Sequence, residues 1–344
     1  MNKILSFIVP SYNCEKFLRK CIESFLCYEV SDDIEVIIVN DGSSDRTAEI
    51  AKEYCDKCNG VVKLINQENK GHGGALNIGL KAATGKYLKV IDADDWVELE
   101  ALPLLVDTLK GIDSDVVLCH HYTIDITSGE KLKWKTYPEK FGVAYDLSHI
   151  MDNWKSFDRS LTFHGIIYRN DFYKENSIEL SEHVFYEDYE YATIPCCYAK
   201  SITPLDTFLY NYRVGDVEQS VSDENQLKRV SHTETVLCRL IDEYKKSDNM
   251  DEQGRRYYAM KTKSLLLSYM TTVMLVEKNK KKGRQMGDIM MERFRKEFPE
   301  VCSLSEKQYK IFRMMNRLHI SKRTWEKISR SSLYNKLRKN HSFS

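Results

Sequence analysis

A doubly wound, mostly parallel α/β sheet followed by an α-helical extension is the fold class this sequence predicts. Three observations predict it. Strand-like and helix-spaced segments alternate through about residue 113. The strand runs are continuously apolar, as strands buried on both faces are. Beyond about Gln226 the pattern becomes wholly helical.

Residues 5–9 form the first strand, and 14–26 follow with helical spacing through Phe17, Leu18, Cys21, Ile22 and Phe25. Residues 34–39 are a second apolar strand. After the turn Asp41-Gly42-Ser43-Ser44, Asp45 is placed to cap a helix over about 46–55. A third strand is expected over 61–65, a third helix over 74–83 and a fourth strand over 87–91. Further strands follow at 116–122, 163–168 and 184–187, with an irregular hairpin between 123 and 145. Helices are expected over 230–244, 255–276, 286–298 and 306–317, punctuated by Gly283 and Pro299. The chain thus divides into an α/β domain, 1–225, and a helical extension, 226–344.

With 344 residues the chain can bury a sizeable core. Its formal net charge of zero hides a division: residues 255–344 hold 23 Lys+Arg against 7 Asp+Glu, and residues 1–254 hold 28 against 44. A basic tail on an acidic body suits an anionic surface or partner, and a solvated Lys-rich bundle is the plain alternative. Met1-Asn2-Lys3 passes directly into a strand, without the apolar core of a secretory leader. No stretch reaches the ~18–20 apolar residues of a spanning helix; residues 265–276 come closest but include Ser268, Thr271 and Thr272. The ten cysteines are scattered in contexts such as Cys119, Cys196 and Cys197, which fits buried thiols in a reducing compartment. Cys55 and Cys58 make a lone CxxC, without the second pair a zinc site needs. The expected location is the cytoplasm, and no nucleic-acid partner is expected.

Four segments carry chemistry. In the first, Pro10 ends a strand and leaves Ser11, Tyr12 and Asn13 at the sheet's carboxyl edge, where Tyr12 could stack on a base or simply cover the sheet end. In the second, Asp41 follows a buried strand beside Gly42, poised either to accept hydrogen bonds from a base or ribose or to serve as a turn residue. The third is Asn69-Lys70-Gly71-His72-Gly73-Gly74-Ala75-Leu76-Asn77, whose glycines let a ligand approach the backbone. It leads to a strand tipped by Asp92, Asp94 and Asp95, hard oxygen ligands suited to Mg²⁺ or Mn²⁺ and thus to a phosphate-bearing substrate. The fourth is Phe185-Tyr186-Glu187-Asp188-Tyr189, where an aromatic setting favours a carboxylate base, unless this is an ordinary acidic helix start. The loop after the first strand lacks GxGxxG, which argues against a dinucleotide-dependent dehydrogenase.

Taken in order, these motifs resemble those of the family 2 glycosyltransferases of GT-A fold, inverting enzymes of the bacterial surface-polysaccharide type, over residues 3–215. The resemblance implies a nucleotide-sugar donor, most often a UDP-sugar, and a divalent cation. It implies that Pro10, Tyr12 and Asp41 line the base of the donor, and that Asp92 and Asp94 face its ribose and metal–diphosphate, with the metal on Asp94. Asp95 would support that shell, Asp188 would be the catalytic base and Glu187 its neighbour. Arg213, ahead of Gln219-Ser220-Val221-Ser222, would belong to a late loop over the donor phosphates. Many members carry Ala-Arg-Asn where this chain has Ala75-Leu76-Asn77, so a donor contact from that arginine is absent or supplied elsewhere.

The acceptor implied is a saccharide or lipid-linked saccharide hydroxyl. Within residues 324–338, Trp325, Ile328, Leu333 and Leu337 beside Lys327, Arg330, Lys336 and Arg338 suggest an interfacial helix that docks peripherally on an anionic membrane. The rival reading packs the tail on the catalytic domain or on a second subunit of a homo-oligomer. Two other functional classes share the sheet. A nucleotidyltransferase would show a Gly-rich, Arg-containing loop where Pro10-Ser11-Tyr12-Asn13 stands, and a non-catalytic binding module would lack acids that are all present here.

Overall fold

Every residue of the first two strands is buried, as unbroken Ile/Val runs require of strands covered on both faces. These are β1 (Leu5–Ser11) and β2 (Ile34–Asp41), followed by β3 (Val62–Gln67), β4 (Tyr87–Val90) and β5 (Trp96–Val97). Further along come β6 (Val116–Asp125), β7 (Lys131–Trp134), β8 (Ile166–Arg169) and β9 (Ile202–Val214). The structure, a computed structural model, describes residues 3–58, 60–215 and 223–325. The strands form one sheet in the order β3-β2-β1-β4-β8-β6-β9-β5, with β7 added on β6. The segment β3-β2-β1-β4 is parallel throughout. β8 then runs antiparallel to β4 and β6, and β9 is parallel to β6. The doubly wound parallel part follows the sequence pattern, and β8 makes the sheet mixed beyond it.

On one face, Phe7, Val9, Val36 and Ile38 pack with Leu18 and Ile22 of the helix Leu18–Glu23 and with Phe25 just beyond it. The other face receives the helix Gly71–Ala82. Gly79 sets that approach, because a Cβ there would lie 2.4 Å from Ile8 Cγ2. Pro10 sits in a central strand without breaking the ladder, since β4 pairs with β1 only as far as Ile8 and Val90. At the amino end of the strands Glu35 is fully buried. It accepts from Ser6 Oγ (2.5 Å), Lys63 Nζ (2.6 Å), Thr84 N (2.7 Å) and Thr84 Oγ1 (2.8 Å).

The helix expected after Asp45 forms over Thr47–Lys57 with Arg46, not Asp45, at its N-cap; Asp45, one residue further out, accepts from Thr47 N through Oδ1 at 2.9 Å. The strand expected at 184–187 does not form. His183 and Tyr186 adopt φ of 56° and 74°, incompatible with extended backbone, and the segment leads instead into the helix Asp188–Thr193.

The chain divides into two compact units, Met1–Gln219 with Asn249–Tyr258, and Ser220–Asp248 with Ala259–Ser344. The second unit is helical. In the helix Val230–Lys246 a stripe of Val236, Leu237, Leu240, Ile241 and Tyr244 is buried at the spacing of one helix face. Tyr244 stacks on Phe298 at 3.8 Å between ring centroids. Pro299 opens the helix Pro299–Arg317 at its first turn. Gly283, expected to interrupt a helix, lies buried inside the helix Lys280–Glu297, where a Cβ would fall 1.9 Å from the Val273 carbonyl oxygen. Among the described residues no helix is long and apolar enough to cross a membrane. Residues 219–222, and residues 326–338 of the expected interfacial helix, lie outside the described residues.

Candidate active site

Three strand ends and one distant loop build the site. At the end of β1, Tyr12 is 55% exposed just past the last strand residue, and Asn13 takes a φ of 48°. Asn13 Oδ1 accepts from Ser44 N at 2.9 Å, which joins the turn after β1 to the turn after β2. Asp41, last residue of β2, is nearly buried. Its Oδ1 accepts from Gln67 Nε2 (2.6 Å) and Lys70 N (2.8 Å), so the carboxylate also anchors the approach to the third helix.

The three acids after β4 occupy different environments. Asp95 is buried and held by β9: Tyr210 Oη donates to Oδ2 at 2.6 Å, and Arg213 N to Oδ1 at 2.7 Å. Burial, then the charges of Asp94 and Asp92, push its carboxyl well up. Burial works against ionisation of Asp92, but the hydrogen bond and charge of His72, with His164 and Lys89, together outweigh it and hold Asp92 low. Asp94 is bonded to no other side chain among the described residues, and burial, then Asp92, push it up to about 6. Arg213 lies close enough to Asp94 to counter part of that rise, and its guanidinium sits 4.5 Å from the Phe17 ring centroid.

A carboxylate crowded by another is a natural partner for a cation. Among the described residues no cluster of three or more ligands stands ready to hold one. A divalent ion would therefore rest on Asp94 and draw its remaining oxygens from a phosphate-bearing ligand and water, the usual mode for Mg²⁺. The donor set fits the expected cation on those terms.

The downstream acids arrive through His72. Its Nε2 lies 2.9 Å from Asp92 Oδ1 and its Nδ1 2.5 Å from Glu187 Oε1. Burial would lower its pKa, but the Glu187 and Asp92 carboxylates outweigh burial and raise it well above that of a free histidine. The glycines around it do not serve a ligand alone. A Cβ on Gly71 would lie 2.8 Å from His183 N, and one on Gly73 2.2 Å from Ser181 O, so the chain's own 181–183 segment fills the space they leave. Asn77 grips the same segment through both the N–H and the carbonyl of Leu180. Leu76 is fully buried, so no donor contact comes from that position.

Asp188 begins the helix after Glu187 and is half-buried. Tyr212 on β9 senses Asp95, Asp92, Asp94 and Asp188, whose charges add to burial in pushing its phenol up. Beneath them Lys89 of β4, fully buried, donates to the carbonyls of Phe163, His164 and Ile166 at 2.8, 2.7 and 3.1 Å. This sets the His164 ring against Tyr210 and Tyr212. Pro10, Tyr12, Asp41, Asp92, Asp94, Asp95, Glu187, Asp188 and Arg213 had been singled out in sequence. No role follows from the sequence for His72, Tyr210 or His164, of which only His72 stands in a recognisable motif, while Tyr212 stands beside Arg213 in the expected late loop.

The model of the Glycosyl transferase family 2 matches residues 6–175. The Bacillus subtilis (strain 168) protein EpsH is 33% identical over 223 residues, 61% of this chain and 60% of that one. The chain thus spans about three fifths of that relative. Among solved structures, Staphylococcus aureus TarS 1–349 in complex with UDP-GlcNAc superposes with a TM-score of 0.58 at 19% identity, covering 92% of each chain. A Pyrobaculum calidifontis mannosyltransferase in complex with GDP-Man and Mn²⁺ gives 0.52 at 14% identity, over 92% of this chain and 85% of that one. At those identities the likeness is one of fold, and the fold is GT-A.

Proposed function

We propose that this chain, whose residues 6–175 match the model of the Glycosyl transferase family 2, transfers a sugar from a nucleotide diphosphate to a saccharide hydroxyl with inversion. The observation that carries the reading is the convergence of Asp92, Asp94 and Asp95 with Glu187, through His72, on the carboxyl edge of a parallel sheet. In open α/β sheets that edge is where ligands bind.

Tyr12 and Asp41 then face the base, Asp92 the ribose and Arg213 the diphosphate. Asp188 takes the proton from the acceptor hydroxyl as that oxygen attacks the anomeric carbon from the face opposite the nucleotide. A divalent cation on Asp94 would, when bound, neutralise charge on the departing diphosphate. UDP-GlcNAc in the TarS complex supports a UDP-N-acetylhexosamine or UDP-hexose donor, and GDP-Man in the mannosyltransferase complex makes a guanine nucleotide the alternative. The acceptor class is a saccharide or lipid-linked saccharide, as in cell-surface polysaccharide or glycolipid synthesis. Catalysis belongs to residues 1–225, and the basic residues of 226–344 bring the enzyme to the inner face of an anionic membrane.

The test is a panel of nucleotide sugars assayed for transfer and slow hydrolysis, with and without Mn²⁺, for wild type and Asp188→Asn. Turnover should fall roughly 10²–10⁴-fold in the variant while UDP binding is retained. Loss of UDP affinity would instead make Asp188 a donor ligand.

A further inference from the structure

His72 stands between two carboxylates that belong to different parts of the site, 20 residues downstream at Asp92 and 115 downstream at Glu187. Each ring nitrogen faces its own carboxyl group, an arrangement the doubly protonated imidazole between two carboxylates satisfies in full. The ring is not adjustable. It sits on the first turn of the helix Gly71–Ala82, between Gly71 and Gly73, whose missing side chains admit the 181–183 backbone. His183 N donates to Lys70 O at 2.9 Å and closes the same turn.

Glu187 is fixed as firmly from its own side. Tyr186, before it, is held at φ 74°, a strained conformation for an aromatic residue. Glu190 accepts from both the N–H and the hydroxyl of Ser181 at 2.8 and 2.7 Å, closing the loop that carries Glu187. Glu187 itself is 3% exposed, and only one of its oxygens is used. Oε2 is buried and has no hydrogen-bond partner among the described residues. A buried carboxylate oxygen without a donor is costly to the fold, and such a cost is concentrated where a ligand supplies the missing donor.

We propose that His72 is a positioning residue that locks Glu187 to Asp92, so that Glu187 Oε2 is presented as the acceptor for a hydroxyl of the sugar bound between them. This rests on the glycosyl-transfer reading and adds to it a second acid, distinct from the base Asp188, that recognises the sugar rather than the nucleotide. Binding of UDP alone then owes little to Glu187 and depends on His72 only through its bond to Asp92, whereas alignment of the sugar owes much to both.

The experiment compares wild type, His72→Gln, Glu187→Gln and the double variant. Melting temperature, UDP affinity by calorimetry, and kcat and KM for the nucleotide sugar that wild type uses are all measured. Each single variant should lose about 10- to 100-fold in kcat/KM, the cost of misplacement, with UDP affinity within about threefold of wild type in Glu187→Gln and lowered in His72→Gln only as far as Asp92 is released from the ribose. The double variant should be no worse than the poorer single, as residues acting as one unit are. Multiplicative losses, or a loss that follows UDP affinity, would overturn the assignment. If His72→Gln fails to fold, Glu187→Gln leaves the ring in place and still decides whether Oε2 meets the sugar. A wild type that turns over no nucleotide sugar in the panel sinks the transfer reading. Turnover by wild type that both single variants match sinks only the pairing.

Discussion

The hydroxyl of Tyr210 lies 2.6 Å from Asp95 Oδ2, and the Asp92 N–H donates to the same hydroxyl at 3.2 Å. One phenol on β9 therefore fixes both ends of the turn that bears the three acids. Tyr210→Phe should lower stability by about 1–3 kcal/mol, the cost of leaving a buried carboxyl short of a donor, and should weaken UDP binding in parallel. Urea unfolding with calorimetry checks both; full stability with normal UDP affinity would show that the phenol is dispensable.

Asp94 should govern cation dependence. Its carboxyl is held up at about 6 by burial and then by Asp92, so a proton competes with a cation below that pH and not above it. Mn²⁺ affinity in the presence of UDP should fall between pH 7.5 and 5.5 in wild type. In Asp94→Asn it should be weak at both values. A wild-type affinity that is flat across that interval would refute the role.

Glu35 should make the fold acid-sensitive. Burial raises its pKa, but Lys63, Ser6 and Thr84 more than offset that and bring it down to about 2 from an ordinary 4.5. A carboxyl lower in the folded than in the unfolded chain stabilises above about 4.5 and loses that contribution as pH falls through about 2. Glu35→Gln should cost about 1–3 kcal/mol at neutral pH. The gap to wild type should narrow on acidification, which unfolding curves at pH 7, 4 and 3 would register.

Gly73→Ala should displace the loop that carries Glu187, because the added Cβ would meet a backbone oxygen at 2.2 Å that cannot swing aside. About 1–3 kcal/mol of overpacking is expected, with turnover reduced more than UDP affinity. Gly129→Ala is the control for an open site, since nothing lies within 4 Å of its would-be Cβ. Its positive φ still exacts a backbone cost. Equal effects of the two substitutions on turnover would remove the loop-packing account.

Much of the site was legible because it hangs on strand ends. The runs through Val9, Val39 and Val90 mark buried strands by composition alone, so the sequence by itself assigns Tyr12, Asp41 and Asp92 to one edge. Asp95 read as a third acid of the same kind, whereas its partner Tyr210 is 115 residues away and leaves no local trace. The His72–Glu187 bond was invisible for the same reason. The segment 184–187 was misread as a strand because its apolar and aromatic residues favour extension. Only tertiary packing holds His183 and Tyr186 at positive φ. Gly283 shows the converse error, a helix breaker retained inside a helix for the sake of a close crossing.

The crowding of three acids into one turn has a consequence for how much of the protein is folded. Acids held together by the fold, with Asp94 and Asp95 both driven up, oppose folding, and Arg213 and His72 offset only part of that cost at Asp94. On the proposed function a donor and its cation would bind only the folded chain, so they would act as part of its architecture and stabilise it by mass action. At a hundred times the dissociation constant that linkage is worth about 2.7 kcal/mol, a substantial share of the margin by which an ordinary domain stays folded. The abundance of the protein in a cell would then follow its supply of nucleotide sugar, because the unfolded fraction is what proteases remove.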